Sequence, residues 1–272
     1  MSHPLLDIAA LDDLAAYLSR VGEVFRVFDQ QDSGCVAYGV EIGTERWFVK
    51  TAREARAEDS LRRAVAFHAM VQHPAIIPIR HAISVAGSLA LVYPWRAGEV
   101  LYHSTVPRTV DRRDPASAMA RFRQRPVPDV ERALAAILGA HLAVERAGLV
   151  AVDLYDGCML YDFGTGAMAL CDLDEYRPGP FEPAGQLPGS VRYMSPEEYP
   201  FRPGSVIDIR TTVYNLGRTI RLLLDAGDDE LAWRGTQAQL DVVARATAAD
   251  PAGRYASVTE LNDAWLGACE GS

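Results

Sequence analysis

Residues 148 to 176, GLVAVDLYDGCMLYDFGTGAMALCDLDEY, constrain the chain more than any other stretch. A helical run stops at Gly148, and an acid, Asp153, follows in a short loop. The chain then crosses an apolar hairpin and runs along Leu170 and Cys171 into a second acid, Asp172. Helix, acid, hairpin, acid is an order that sets two carboxylates to converge on one site, because the hairpin returns the chain to where it left the loop.

Such a loop needs a core to stand on, and 272 residues with 49% hydrophobic content supply one large domain or two lobes sharing a cleft. The net charge of -9 argues against broad nucleic-acid binding, which depends on neutralising phosphates with Lys and Arg. Cys35, Cys158, Cys171 and Cys269 show neither CxxC nor Cys/His spacing, so no zinc site or disulfide scaffold is expected and a reducing cytosol fits. The start, MSHPLLDIAALDDL, has acids within its apolar run, and no apolar run approaches the ~18 residues that cross a bilayer. A soluble, cytoplasmic protein with no membrane partner is expected.

Taken in order, residues 4 to 21 have helical spacing, with Asp12 and Asp13 early and Arg20 late. EVFRVF, CVAYGVEI and RWFVKTA, separated by the turn-forming DQQDSG and GTE, predict a three-stranded antiparallel sheet. Residues 53 to 72 read as a helix. From Pro128, PDVERALAAILGAHLAVERAG reads as another, with Asp129 as N-cap and Gly148 as its stop. His141 inside it reads as a packed helix residue. IDIRTTVYNLGRTIRLLL places Val213, Leu216, Ile220 and Leu223 at core spacing, and a last helix covers Val258 to Leu266.

Read together, these segments resemble the eukaryotic-type serine/threonine protein kinase superfamily, over roughly residues 23 to 266. AVDLYDGC, Ala151 to Cys158, resembles the catalytic loop HRDLKPEN, and DLD at Asp172 to Asp174 resembles DFG. GSVRYMSPEE closely resembles the family's GTPRYMAPEE, with Glu197 as its structural glutamate, and DPAGRYASVTELNDAW supplies Arg254 in the context of that glutamate's distant partner. SGCVAYGV looks like the end of the glycine-rich loop, with Gly34 at its last glycine and Val36 beyond it, and WFVK looks like the strand that presents a phosphate-pairing lysine, Lys50. HPAIIPI resembles the turn from the mobile helix into the fourth strand. LALVYPWRAGEVL looks like the fifth strand and hinge, with Tyr93 as gatekeeper and the Pro94 carbonyl and Arg96 amide facing adenine.

The resemblance implies an α+β, bilobal kinase-like fold, with a small antiparallel sheet lobe and a mainly helical lobe. Its implied boundaries are an N-terminal helical extension at 1–22, the N-lobe at 23–96 and the C-lobe at 97–272. It implies ATP and Mg2+ as cofactors, with nucleotide and a protein or peptide substrate as partners. Asp153 would orient the acceptor hydroxyl and Asp172 would hold the magnesium that bridges the phosphates.

The sequence departs from the family at telling places. The glutamate that pairs the lysine falls at Ala64, with Glu58 six residues earlier. The loop lysine becomes Tyr155, and the metal-binding asparagine becomes Cys158, a poor magnesium ligand beside which Asp156 could supply an oxygen. Asp174 replaces the DFG glycine, and Thr212 replaces an aspartate of the central helix. An active phosphotransferase, a pseudokinase that binds nucleotide without catalysis, and a nucleotidyl transferase on the same fold all stay open. Arg108, Arg112, Arg113, Arg121, Arg123 and Arg125 form a basic run that reads as a solvated loop and helix face, with an acidic-partner docking surface as the alternative.

Overall fold

The β-branched and aromatic residues of Glu23–Ala52 form strands because their side chains pack well on a pleated, half-buried surface. In a computed structural model that describes residues 3–30, 33–103 and 111–270, the chain mixes helices and strands. Seven α-helices and a six-stranded sheet lie among the described residues. The described residues of Met1–Gln72 and Ile77–Ala97 make one compact unit, and those of His73–Ile76, Gly98–His103 and Val110–Ser272 make the other.

The first unit runs β1 (Ala10–Leu11), α1 (Leu14–Val21), β2 (Glu23–Phe28), β3 (Cys35–Ile42), β4 (Glu45–Ala52), α2 (Ala55–Met70), β5 (His81–Val85) and β6 (Ser88–Pro94). Its sheet has the order β1-β5-β6-β4-β3-β2, antiparallel except where β1 joins β5. One face of the sheet buries Val40, Trp47, Val49, Ile83, Ala90 and Val92 against Leu5, Leu14 and Leu18, so the N-terminal residues share the sheet's core. The helix expected over residues 4 to 21 is shorter than its spacing suggests. Ala10–Leu11 is captured as a strand by β5, and the Asp13 carboxylate caps α1 by accepting the Ala16 N–H at 3.0 Å. Asp12 and Asp13 therefore precede the first turn instead of lying in it.

The second unit runs β7 (Glu99–Val100), α3 (Ala118–Arg123), α4 (Val127–Arg146), β8 (Leu149–Val150), β9 (Met159–Tyr161), β10 (Met168–Leu170), β11 (Arg177–Pro178), α5 (Ile209–Leu223), α6 (Gln237–Ala246) and α7 (Val258–Glu270). Val213, Leu216, Ile220 and Leu223 of α5 are all buried, as their spacing predicts. Helix α4 begins two residues before the expected N-cap, because Pro128 within its first turn presets the helical φ. Asp129 thus lies inside the helix, where its carboxylate holds Arg125 at 2.7 Å. Residues His73–Ile76 belong with this unit through β10: the Leu170 N–H donates to the Ala75 carbonyl at 2.6 Å.

The described arginines of the basic run are each paired with an acid, and their exposure ranges from the solvated Arg113 to the buried Arg123. Arg112 holds Asp156, Arg113 holds Asp229, Arg121 holds Glu99, Arg123 holds Asp228 and Arg125 holds Asp129. Arg123 is itself buried and also donates to the Leu222 carbonyl at 3.1 Å. Arg108 lies outside the described residues. Two further arginines from elsewhere in the unit, Arg192 and Arg218, hold Asp228 and Glu230, so the acid-rich segment after α5 is gripped from several sides.

Candidate active site

Helix α4 ends where its sequence says it should. Gly148 adopts φ of 70°, which costs glycine little, and its N–H closes on the Glu145 carbonyl at 2.9 Å. Strand β8 then pairs with β11, and Ala151 and Val152 are completely buried. The Ala151 N–H donates to Thr212 Oγ1 of α5 at 2.9 Å, so the central helix fixes the approach to Asp153 through a hydroxyl.

Asp153 and Asp172 come together at one sulfur. The Cys158 thiol lies 3.2 Å from the Asp153 carbonyl and 3.7 Å from the Asp172 carbonyl, within sulfur hydrogen-bond reach of both. Burial pushes this thiol well above its ordinary pKa, and the charges of Asp153 and Asp172 push it further. Cys158 therefore keeps its proton and faces the two main chains as a donor.

Both acids also carry a left-handed backbone, with φ of 62° at Asp153 and 58° at Asp172. For an ordinary L-residue this conformation costs about 1–2 kcal/mol, which Asp tolerates through its short polar side chain. Backbone strain of this kind persists where the surroundings over-determine it, and it clusters at functional sites. Two such residues meeting at one thiol mark this loop.

Asp156 does not serve as the spare metal oxygen that the sequence suggested. It is wholly buried, and both of its carboxylate oxygens are engaged by the Arg112 fork, Nε to Oδ2 at 2.5 Å and Nη2 to Oδ1 at 2.8 Å. Arg112 in turn lies 3.4 Å from the centroid of the Tyr102 ring. Burial pulls the guanidinium toward losing its proton, but the Asp156 hydrogen bonds outweigh that and raise its pKa. Asp174 is also buried. Among the described residues no group of three or more His, Cys, Asp or Glu is arranged to hold a metal ion.

Beneath the loop, His141 is buried and packed. Its Nδ1 faces the Ile137 carbonyl at 2.8 Å, which can only accept, so Nδ1 carries the proton and Nε2 accepts from the Tyr176 hydroxyl at 2.8 Å. Burial lowers its pKa to about 4, so the ring is neutral at physiological pH.

Glu197 and Arg254 form the predicted pair, with contacts of 2.6 Å and 2.9 Å and the arginine side chain fully buried. Thr211 Oγ1 donates to the same carboxylate at 2.8 Å. Burial opposes the Glu197 charge, but Arg254 overcomes it and holds the carboxyl below its ordinary range.

In the first unit, Lys50 sits mid-strand on β4, which is flanked on both sides. Its Cα partners are Ala37 on β3 and Leu91 on β6, and only 7% of the residue is exposed. Lysine is seldom buried to this degree. Val36 faces Thr51 across the same ladder. Gly34 has φ of 74°, and its carbonyl accepts the N–H groups of Arg53 and Glu54, which ties it to the corner entering α2. Tyr93 is buried against Phe48 and His68, with ring centroids at 6.1 Å and 6.0 Å. Pro94 ends β6 opposite Trp47, the Trp95 N–H donates to the Arg46 carbonyl at 2.9 Å, and Arg96 beyond it is exposed. On α2, Ala64 lies on the buried stripe with Ala57, Leu61 and Phe67, whereas Glu58 pairs with Arg62 at 3.8 Å.

No family model matches the chain, and no curated protein matches it. Sequence reasoning missed two working residues of the loop. Arg112 was one of a basic run, and nothing in a sequence links it to an acid 44 positions away. Thr212 registered only as a missing aspartate, although a hydroxyl accepts an amide proton equally well.

Proposed function

We propose that this chain is a phosphotransferase with the α+β, bilobal architecture of the protein kinases. It passes the γ-phosphoryl group of ATP to a hydroxyl, with a protein or peptide serine or threonine as the default acceptor. The observation that carries the reading is the convergence of Asp153 and Asp172 on Cys158 Sγ, each in a left-handed backbone. The buried Glu197–Arg254 pair supports the architecture.

In this reading Asp153 accepts the proton of the acceptor hydroxyl and aims it, a contribution of about 10²–10⁴-fold. Asp172 is the protein's ligand to a magnesium ion that arrives with the nucleotide. Magnesium ordinarily takes one or two carboxylates plus phosphate oxygens and water, so a single aspartate suits it. Neither Cys158, which keeps its proton, nor Asp156, which Arg112 holds, adds a second ligand. Lys50 supplies a fixed cation for the phosphates, and Gly34, Val36, Tyr93, Pro94 and Arg96 belong to nucleotide binding.

The protonated thiol at the family's second metal position favours one alternative, a module that binds nucleotide without turning it over. The test is ATP turnover with magnesium or manganese, with mass analysis of candidate acceptors, on the wild type beside Asp153→Asn and Asp172→Asn. Phosphotransfer predicts turnover in the wild type and a fall of about 10²-fold or more in each variant. Equal silence in all three, with ATP still raising the melting temperature, would replace catalysis with nucleotide binding. An acceptor gaining the mass of a nucleotide would replace phosphoryl with nucleotidyl transfer.

A further inference from the structure

We infer that Cys158 and Cys171 are a reversible oxidation site, a pair of thiols built to close into a disulfide beneath the two acids. The inference does not depend on phosphotransfer, because it is read from bonding and not from turnover.

The register of the hairpin carries it. Strand β9 pairs with β10 so that Met159 faces Leu170, and the residue just beyond the end of each strand is a cysteine, Cys158 closing a 3-10 turn. One more bond joins them: the Cys171 N–H donates to the Cys158 carbonyl at 3.0 Å, while the Cys158 N–H turns back to the Tyr155 carbonyl at 2.9 Å. Residues facing one another at the end of an antiparallel pair have Cα atoms about 4.5–5.5 Å apart. A disulfide spans Cα separations of about 4.4–6.8 Å.

The sulfurs are close to one another's main chain. Cys171 Sγ lies 3.7 Å from the Cys158 carbonyl and 3.9 Å from the Gly157 carbonyl, while Cys158 Sγ turns toward the carbonyls of Asp153 and Asp172. Both thiols are reduced as the chain stands. Cys158 is buried, whereas Cys171 is partly exposed, so the two have different parts to play.

The oxidant is a low-molecular-weight disulfide. Cys171 Sγ, its proton lost to solvent, attacks one sulfur of that reagent. A mixed disulfide forms on Cys171 and one small thiol leaves. Cys158 Sγ then attacks the Cys171 sulfur and passes its proton to the departing small thiolate, which leaves as the second small thiol. Two protein thiols have been oxidised by two electrons, and one small disulfide has been reduced to two thiols. The Cys158 S–H no longer exists, so the carbonyls of Asp153 and Asp172 lose the donor they share.

Oxidised glutathione is the probe. After incubation, non-reducing digestion and mass mapping of the wild type should recover one cross-linked peptide joining Cys158 to Cys171. The intact mass should be lower by two hydrogen atoms, and dithiothreitol should restore it. Cys158→Ala should stop at a stable glutathionyl adduct on Cys171, and Cys171→Ala should leave Cys158 unmodified. A stable glutathionyl adduct on wild-type Cys171, a cross-link through Cys35 or Cys269, or no change where an exposed control thiol is fully oxidised would each overturn the inference. The wild-type map alone decides, should a variant fail to fold.

Discussion

Glu197 and the Asp153–Asp172 pair lie in the same unit and differ in the backbone that carries them. Glu197 is fixed by its side chain, through a two-pronged contact with a fully buried arginine and a threonine hydroxyl. Asp153 and Asp172 are set through their main chains, by left-handed φ and by carbonyls that meet at one thiol. The lesson is that an acid's job can be read from what positions it. A carboxylate locked by guanidinium carries architecture, while an acid on a left-handed main chain marks a loop whose surroundings over-determine its backbone. Asp156, locked by Arg112 three residues after Asp153, falls on the architectural side of that division despite its place in the loop.

The largest test of this contrast is Arg254→Ala. It leaves Glu197 charged and buried without its cation, and should cost about 3–5 kcal/mol of unfolding free energy by urea denaturation. Asp153→Asn keeps a side chain that tolerates the left-handed φ of 62° and should cost less than Arg254→Ala; an equal loss there would erase the distinction. A smaller effect separates glycine from alanine at Asp172. With φ of 58°, Asp172→Gly should be more stable than Asp172→Ala by about 1–2 kcal/mol, whereas no such advantage for glycine is expected at Glu197.

The finest test uses neighbours with opposite shifts. Burial raises the Glu198 pKa above its ordinary 4.5, against the opposing hydrogen bonds from Ser195 and Asn215, while Arg254 lowers that of Glu197. A raised carboxyl favours the protonated native state, so its contribution is complete below pH 4.5 and is lost as pH rises through the folded value. Glu197 behaves conversely: its contribution is present above its ordinary range and is lost as pH falls through its lowered value. Glu198→Gln should therefore gain stability relative to wild type as pH rises from 4.5, measured by thermal melts across pH. A constant difference across that range would contradict the assignment.

Much of this was legible in the sequence, for local reasons. The strands Glu23–Phe28, Cys35–Ile42 and Glu45–Ala52 follow from β-branched and aromatic runs between turn residues. The end of α4 follows from Gly148, and the Glu197–Arg254 pair from two motifs that each keep their context. What escaped was tertiary. The periodicity of residues 4 to 21 gave no sign that a strand far along the chain would capture Ala10–Leu11. Nor did a run of arginines give any sign that each described member would find an acid within the protein. The left-handed φ of Asp153 and Asp172 was equally invisible, since aspartate, unlike glycine, does not advertise it.

The parallel pairing of Ala10–Leu11 with Ser84–Val85 has one more effect. A sheet that ended at β5 would offer the outward amides and carbonyls of alternate residues to any extended stranger. With the Ser84 and Ala86 N–H groups given to the Ala9 and Leu11 carbonyls, that end of the margin is spoken for within the chain, and a stranger finds a shorter length to copy there.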